Sequence, residues 1–301
     1  MAGVAVLLMA YGTPSSMEDI EPYLTDIRRG RKPTLDAVQG LMERYRRIGG
    51  KSPLLDITKA QTLALEQKLN SGGAKVRVYY GMKHWHPYIR EVVPRIIEDG
   101  FKRIVALVLA PHYSQISIGG YRQALNDAIG DSTRLEVDFI ESWYDHPLFH
   151  RAVQEKIQET LKQFSRPEKI ELLFTAHSLP ERILQMNDPY PVQLQNSCRS
   201  VAKLLRYEQW SFAYQSAGRT PEKWLGPDLI DRLRTLSQRP NLGVLVVPIG
   251  FVADHLEILY DIDVEAQDFA KSQGLTLKRT ESLNTSPAFI AALTDIVRKR
   301  L

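Results

Sequence analysis

Short, continuous apolar runs alternate with longer amphipathic stretches along the whole chain. Val4–Met9 (VAVLLM) holds no polar residue, the pattern of a strand buried on both faces. Further mainly apolar or alternating runs predict strands at Val76–Tyr80, Ile104–Ala110, Leu135–Ile140, Ile170–Thr175, Trp210–Gln215, Leu242–Val247 and Leu275–Arg279. Apolar spacing, caps and breakers predict the helices between them. These run from Thr34, a suitable N-cap, to Arg47, then over Thr58–Leu69, Tyr88–Asp99, Gly120–Ile129 and Pro147–Phe164, the last broken by Arg166-Pro167. Further helices are expected at Tyr190–Leu205, Pro227–Gln238, after the turn at Gly250 and Ala253–Asp254, and at Ser286–Leu301. Strands alternating with helices imply an α/β fold with mostly parallel, doubly wound sheets.

The two halves look alike. Met9-Ala10-Tyr11-Gly12-Thr13-Pro14 takes the same place in its half as Thr175-Ala176-His177-Ser178-Leu179-Pro180 does in the other. In each, a first strand runs into a small residue, a functional side chain and a proline. The repeat predicts two similar α/β domains with Tyr11 and His177 on opposite walls of a cleft between them. The expected boundaries are 1–145, with an insertion at 15–52, then 146–285, then a closing helix at 286–301.

Composition narrows the chemistry. The 301 residues are 44% hydrophobic and 25% charged, those of an ordinary globular protein. A formal charge of +4 suits an anionic small ligand and does not call for nucleic acid. The single cysteine, Cys198, excludes an internal disulfide, a cysteine-based zinc site and a four-cysteine iron–sulfur cluster. Its usage fits a reducing cytoplasm. No apolar run reaches the roughly 18 residues of a membrane helix, and Val4–Ala10 lacks the basic region of a secretory signal.

Glu257, Asp261 and Glu265 fall at i, i+4 and i+8 after the Leu242–Ile249 run. On an α-helix that spacing lines three carboxylates along one face over roughly 12 Å. A solvated acidic stripe is the plain reading, but this one starts at a strand-to-helix junction, where open α/β sheets hold ligands. The row is therefore read as a path for a cation. His177 ends another strand and pairs with Glu257 as an acid/base or metal-handling dyad. His255, two residues from Glu257, points elsewhere on a regular helix and is read as packing or capping. His84, His86 and His112 are secondary candidates. Arg28, Arg29, Arg31, Lys32, Arg44, Arg46 and Arg47 lie within the insertion and suit carboxylates or phosphates. Tyr45 and Ser52 could add neutral hydrogen bonds there. Tyr11, Tyr45, Trp85, Tyr113, Tyr121, Trp143, Tyr144 and Trp224 are expected mostly as core or rim packing, and together would also line a site for a large flat ligand.

These segments resemble the ferrochelatases, most closely the short coproporphyrin III form of Gram-positive bacteria. The matching stretches are MAYGTP at 9–14, IRRGRKP at 27–33, RYRRIGGKSPL at 44–54, GMKHWHP at 81–87, VLAPHYS at 108–114, ESWYDHP at 141–147, TAHSLPERI at 175–183, NDPYP at 187–191, YQSAGRTPEKWLGPD at 214–228 and PIGFVADHLEILYDID at 248–263. They run from end to end in order, and HSLP with GFVADHLE is highly specific. The resemblance implies two Rossmann-like, chelatase-type domains with a porphyrin held between them, and insertion of Fe²⁺ with release of two protons. It implies His177 and Glu257 as the catalytic, metal-handling pair and Tyr11 on the other porphyrin face, ligating the product iron. Arg28, Arg44, Tyr45, Ser52 and Tyr121 would hold the propionates or the ring. Asp261 and Glu265 match positions associated with a second divalent cation such as Mg²⁺. Fe²⁺ is then a substrate, with no permanently bound cofactor and no iron–sulfur cluster.

The arginine set favours coproporphyrin III, with four propionates, over protoporphyrin IX, with two. The family also implies a cytoplasmic monomer with no stable membrane insertion, meeting neighbouring haem-pathway enzymes only transiently. Protoporphyrin IX as substrate, a cobalt or nickel chelatase of another tetrapyrrole, and a non-enzymatic haem or porphyrin carrier are the alternatives. A carrier needs axial ligands but not the Glu257 carboxylate.

Overall fold

The computed structural model describes residues 3–73, 75–130, 135–165, 169–218 and 220–301. The expected break at Arg166-Pro167, and Arg219 of the YQSAGRTPEKWLGPD stretch, lie outside the described residues. The chain divides into two compact units, one of residues 1–143 and 284–301 and one of residues 144–283.

The first unit runs β1 (Val4–Ala10), α1 (Ile20–Ile27), α2 (Leu35–Arg47), α3 (Leu54–Asn70), β2 (Val76–Met82), α4 (Ile89–Glu98), β3 (Arg103–Val108), α5 (Ile118–Ile129) and β4 (Glu136–Ile140). The second runs α6 (Pro147–Leu161), β5 (Ile170–His177), a 3-10 helix (Glu181–Met186), α7 (Tyr190–Leu205), β6 (Trp210–Gln215), α8 (Leu229–Ser237), β7 (Gly243–Val247), a π-helix (Ile258–Ala266), α9 (Gln267–Ser272) and β8 (Thr276–Arg279). The last helix, α10 (Pro287–Arg298), returns to the first unit and packs on α3. Arg298 donates to the Lys68 carbonyl at 3.1 Å there.

Each unit carries a four-stranded parallel sheet, ordered β2-β1-β3-β4 and β6-β5-β7-β8. The two orders are the same when β5 is matched to β1, as the paired strand-end motifs predict. β1 and β5 are interior strands, and their apolar stretches are sealed from solvent: Ala5 through Met9 and Leu172 through Phe174 are 0% exposed. Each large aliphatic side chain buried this way contributes about 1.5–3 kcal/mol. In the first unit α4 and α5 cover one sheet face with Ile89, Val93, Ile96 and Leu125. In the second, Leu229, Leu233 and Leu236 of α8 pack with Ile258, Ile262 and Ala266 of the π-helix.

Three elements depart from the sequence reading. Helix α1 was not expected; its eight residues include Pro22 in the first turn, where a proline costs no hydrogen bond but obscures the pattern. The 3-10 helix was also unforeseen. The acidic segment, expected as a regular α-helix, is α-helical only at Leu256 and Glu257 and then widens to i→i+5 bonding. Segments of this kind are rare and occur often at functional sites.

Candidate active site

His177 is the last residue of β5, held between β6 and β7, with Gln215 beside it in register on β6. Its carbonyl accepts the Tyr190 hydroxyl at 2.9 Å. The Nδ1–H donates to the carbonyl of Ser178 in a short contact. This turns Nε2 toward Glu257, whose Oε1 lies 3.4 Å away. The chain reaches Glu257 through Gly250. A Cβ at Gly250 would stand 2.6 Å from the Cβ and 2.9 Å from the Cα of Ala176, so only glycine permits this approach to β5.

Glu257 meets a second imidazole. His255 Nε2 lies 3.5 Å from its Oε2, while His255 Nδ1 donates to the Ala253 carbonyl at 3.0 Å. The expectation that His255 points away is therefore corrected. The helix begins at Leu256, so His255 is not on it and helical spacing does not govern its direction. The Phe251 ring stands 4.6 Å from that of His255 and 6.4 Å from that of His177, and Trp224 stands 6.4 Å from His177 on a different contact.

Electrostatics fix the protonation state. Burial opposes charge on His177, but the Glu257 carboxylate outweighs it and raises the imidazolium to about 9. Burial also opposes ionisation of Glu257, and His177, followed by His255, outweighs it and holds the carboxyl well below the usual range. The resting pair is imidazolium and carboxylate, both side chains about one-third exposed. Such a pair can exchange its proton for a metal cation, and its members differ in hardness, one nitrogen and one oxygen donor.

Asp261, one turn further on, is buried and accepts a short hydrogen bond from the Ser216 hydroxyl. Gln215 Nε2 donates to Ser216 Oγ at 3.5 Å. Glu265 is exposed. Among the described residues no group of three His, Cys, Asp or Glu side chains is placed to hold a metal ion.

In the first unit, Tyr11 follows β1 directly and is 44% exposed. Gly12, at φ 102°, turns the chain; a Cβ there would lie 2.9 Å from the Trp85 nitrogen. The His84 ring lies 4.6 Å from that of Tyr11, and its Nδ1 is 2.9 Å from Asp26 Oδ2. Tyr45 is buried and shares a 2.8 Å hydrogen bond with Thr13 Oγ1. The Tyr23 hydroxyl donates to the Gly12 carbonyl at 3.1 Å. The strand-end turn is thus gripped by two tyrosines, of which the sequence reading named only Tyr45. Ser52 is buried, and its Oγ accepts the Leu54 N–H at 3.3 Å, a role in the entry to α3. Tyr121 is buried with the Lys83 ammonium 5.0 Å from its ring centroid. Arg28 caps α1 and is exposed, while Arg44 is half-buried in the last turn of α2.

A family model for ferrochelatase matches residues 3–301. A ferrochelatase of Herpetosiphon aurantiacus is 45% identical over 300 residues, covering 98% of this chain and 98% of its own. A coproporphyrin III ferrochelatase of Geobacillus thermodenitrificans is 43% identical over 304 residues, covering 99% of this chain and 96% of its own. Among solved structures, SirB from Bacillus subtilis with Fe³⁺ is similar at a TM-score of 0.61 and 10% identity, over 99% of this chain and 95% of that one. At that identity the likeness speaks for the fold alone. With a family model spanning the chain and relatives this similar along nearly its whole length, the chain belongs to the ferrochelatase family of metal chelatases.

Proposed function

We propose that this ferrochelatase inserts Fe²⁺ into coproporphyrin III, and that His177 and Glu257 handle the metal and the departing protons. The observation that carries the assignment is the Nε2-to-Oε1 approach at the end of β5. Metal insertion needs two pyrrole N–H protons removed and the iron stripped of water. Once the His177 proton has been released, an ionised carboxylate beside an imidazole supplies a base and two donor atoms of different kind. Tyr11 is assigned as an axial ligand of the product iron. Arg28, Arg44, Tyr45, Ser52 and Tyr121 are assigned to the propionates and the ring. Asp261 and Glu265 are assigned a second divalent cation on the way to Glu257.

Two facts support coproporphyrin III over protoporphyrin IX. Cations are dense between Arg28 and Arg47, and four propionates use more of them than two. Relatives at 43% and 42% identity in two Geobacillus species carry the coproporphyrin III name. Anaerobic turnover with Fe²⁺, followed by loss of the free-base porphyrin absorption, tests the choice. Faster metallation of coproporphyrin III than of protoporphyrin IX is expected, and equal or faster use of protoporphyrin IX would overturn the substrate while keeping the reaction.

A further inference from the structure

The segment that carries Glu257 is fastened at both ends by one side chain. Arg279 is the last residue of β8, paired in register with Val246 of β7, and its side chain is only 12% exposed. Its Nε and Nη2 each donate at 2.7 Å to the two carboxylate oxygens of Asp263, inside the π-helix. Its Nη1 donates to Asp254 Oδ1 at 3.1 Å and to the Thr280 carbonyl at 2.9 Å. Ser282 Oγ adds a 2.7 Å hydrogen bond to the same Asp254 oxygen. The Thr280 N–H donates to the Val246 carbonyl at 3.0 Å, which locks the end of β8 to β7.

Asp254 lies three residues before Glu257 in a loop without regular structure, and Asp263 lies six residues after it. We infer that Arg279 is a positioning residue for the reaction, a clamp that holds the loop and the π-helix at a fixed separation so that Glu257 meets His177. The inference rests on the assignment of Glu257 to metal handling. A guanidinium suits the task because its planar fork grips Asp263 through two parallel bonds and still presents a third N–H to Asp254. Lysine offers one charge centre and cannot hold both carboxylates in this geometry. A plain alternative is an ion-pair cluster that only secures the edge strand.

The kinetics of R279K and D263N separate the two roles. D263N keeps the Arg279–Asp254 arm and serves if R279K does not fold. Each variant, checked by circular dichroism and assayed well below its melting temperature, is expected to lose about tenfold in kcat, the scale of a sub-ångström misplacement. The porphyrin KM should stay within about twofold, since the clamp shifts the metal-handling carboxylate and not the propionate contacts. Wild-type kcat and KM with only a lower melting temperature would overturn the inference. E257Q run in parallel tests the foundation. Turnover lost in E257Q but intact in R279K and D263N overturns the clamp alone. Turnover surviving in E257Q overturns the Glu257 assignment, and the clamp with it.

Discussion

One carboxylate, that of Glu257, lies between two imidazoles: His177 Nε2 stands 3.4 Å from Oε1, and His255 Nε2 stands 3.5 Å from Oε2. The two histidines come from different elements, one from the end of β5 and one from the loop before the π-helix. The geometry sets an imidazole nitrogen against each carboxylate oxygen and leaves the group ionised in a half-buried place.

Above about pH 6.5 the pair makes stability and metal capture depend on pH in opposite senses. His177 is raised to about 9 in the folded chain, first against burial and then by Glu257. Its contribution to stability is therefore complete below the unfolded imidazole value of about 6.5 and is lost as pH rises through about 9. Glu257 is depressed, so its contribution is present above about 4.5 and is lost as pH falls toward its lowered value. Denaturant unfolding of wild type against H177Q should show the largest difference between about pH 4.5 and 6.5, narrowing toward pH 9. Capture of a divalent cation by the porphyrin-free protein runs the other way, strengthening with rising pH because the metal must displace the His177 proton. A difference that widens between pH 7 and 9 would contradict this.

His255 should matter beyond packing. H255A removes the imidazole beside Glu257 Oε2, an expected loss of about 1 kcal/mol or roughly fivefold in kcat, the scale of an ordinary hydrogen bond. Porphyrin binding measured by fluorescence quenching should be unchanged. H255A kinetics equal to wild type would return His255 to a packing and capping role.

Gly250 sets the approach of the Glu257 segment to β5. G250A would push a methyl group to 2.6 Å from Ala176 Cβ. The expected cost is about 1–3 kcal/mol of stability by overpacking, read as a lower melting temperature, together with a fall in kcat as Glu257 moves away from His177. Wild-type stability and rate would mean that the two segments shift apart without consequence for the pair.

Much of this architecture is legible in the sequence, because interior parallel strands write themselves as uninterrupted apolar runs. β1 is of that kind and β5 holds a shorter one, Leu172–Phe174, and Tyr11 and His177 were assigned to the ends of these strands on that ground. Glu257 was legible from its carboxylate row. What escaped shares a cause: local patterns that several geometries satisfy. The four-residue stride of Ile258, Ile262 and Ala266 suits an α-helix and a π-helix alike, so the widening over Ile258–Ala266 left no mark. Helix α1 is short and holds a proline. His255 was misjudged because its direction depends on where the helix starts, and a shift of one residue at a boundary reverses the answer. The partners of Arg279 lie 16 and 25 residues away, beyond any local pattern.

The central claim is that the Glu257 carboxylate is needed for chemistry and not for binding. Anaerobic Fe²⁺ insertion into coproporphyrin III by E257Q, alongside the affinity of the same variant for Fe-coproporphyrin, tests it most directly. The account predicts product affinity within about twofold of wild type and turnover reduced by at least about a hundredfold, the scale for loss of a general base. Turnover near wild type in E257Q would contradict it.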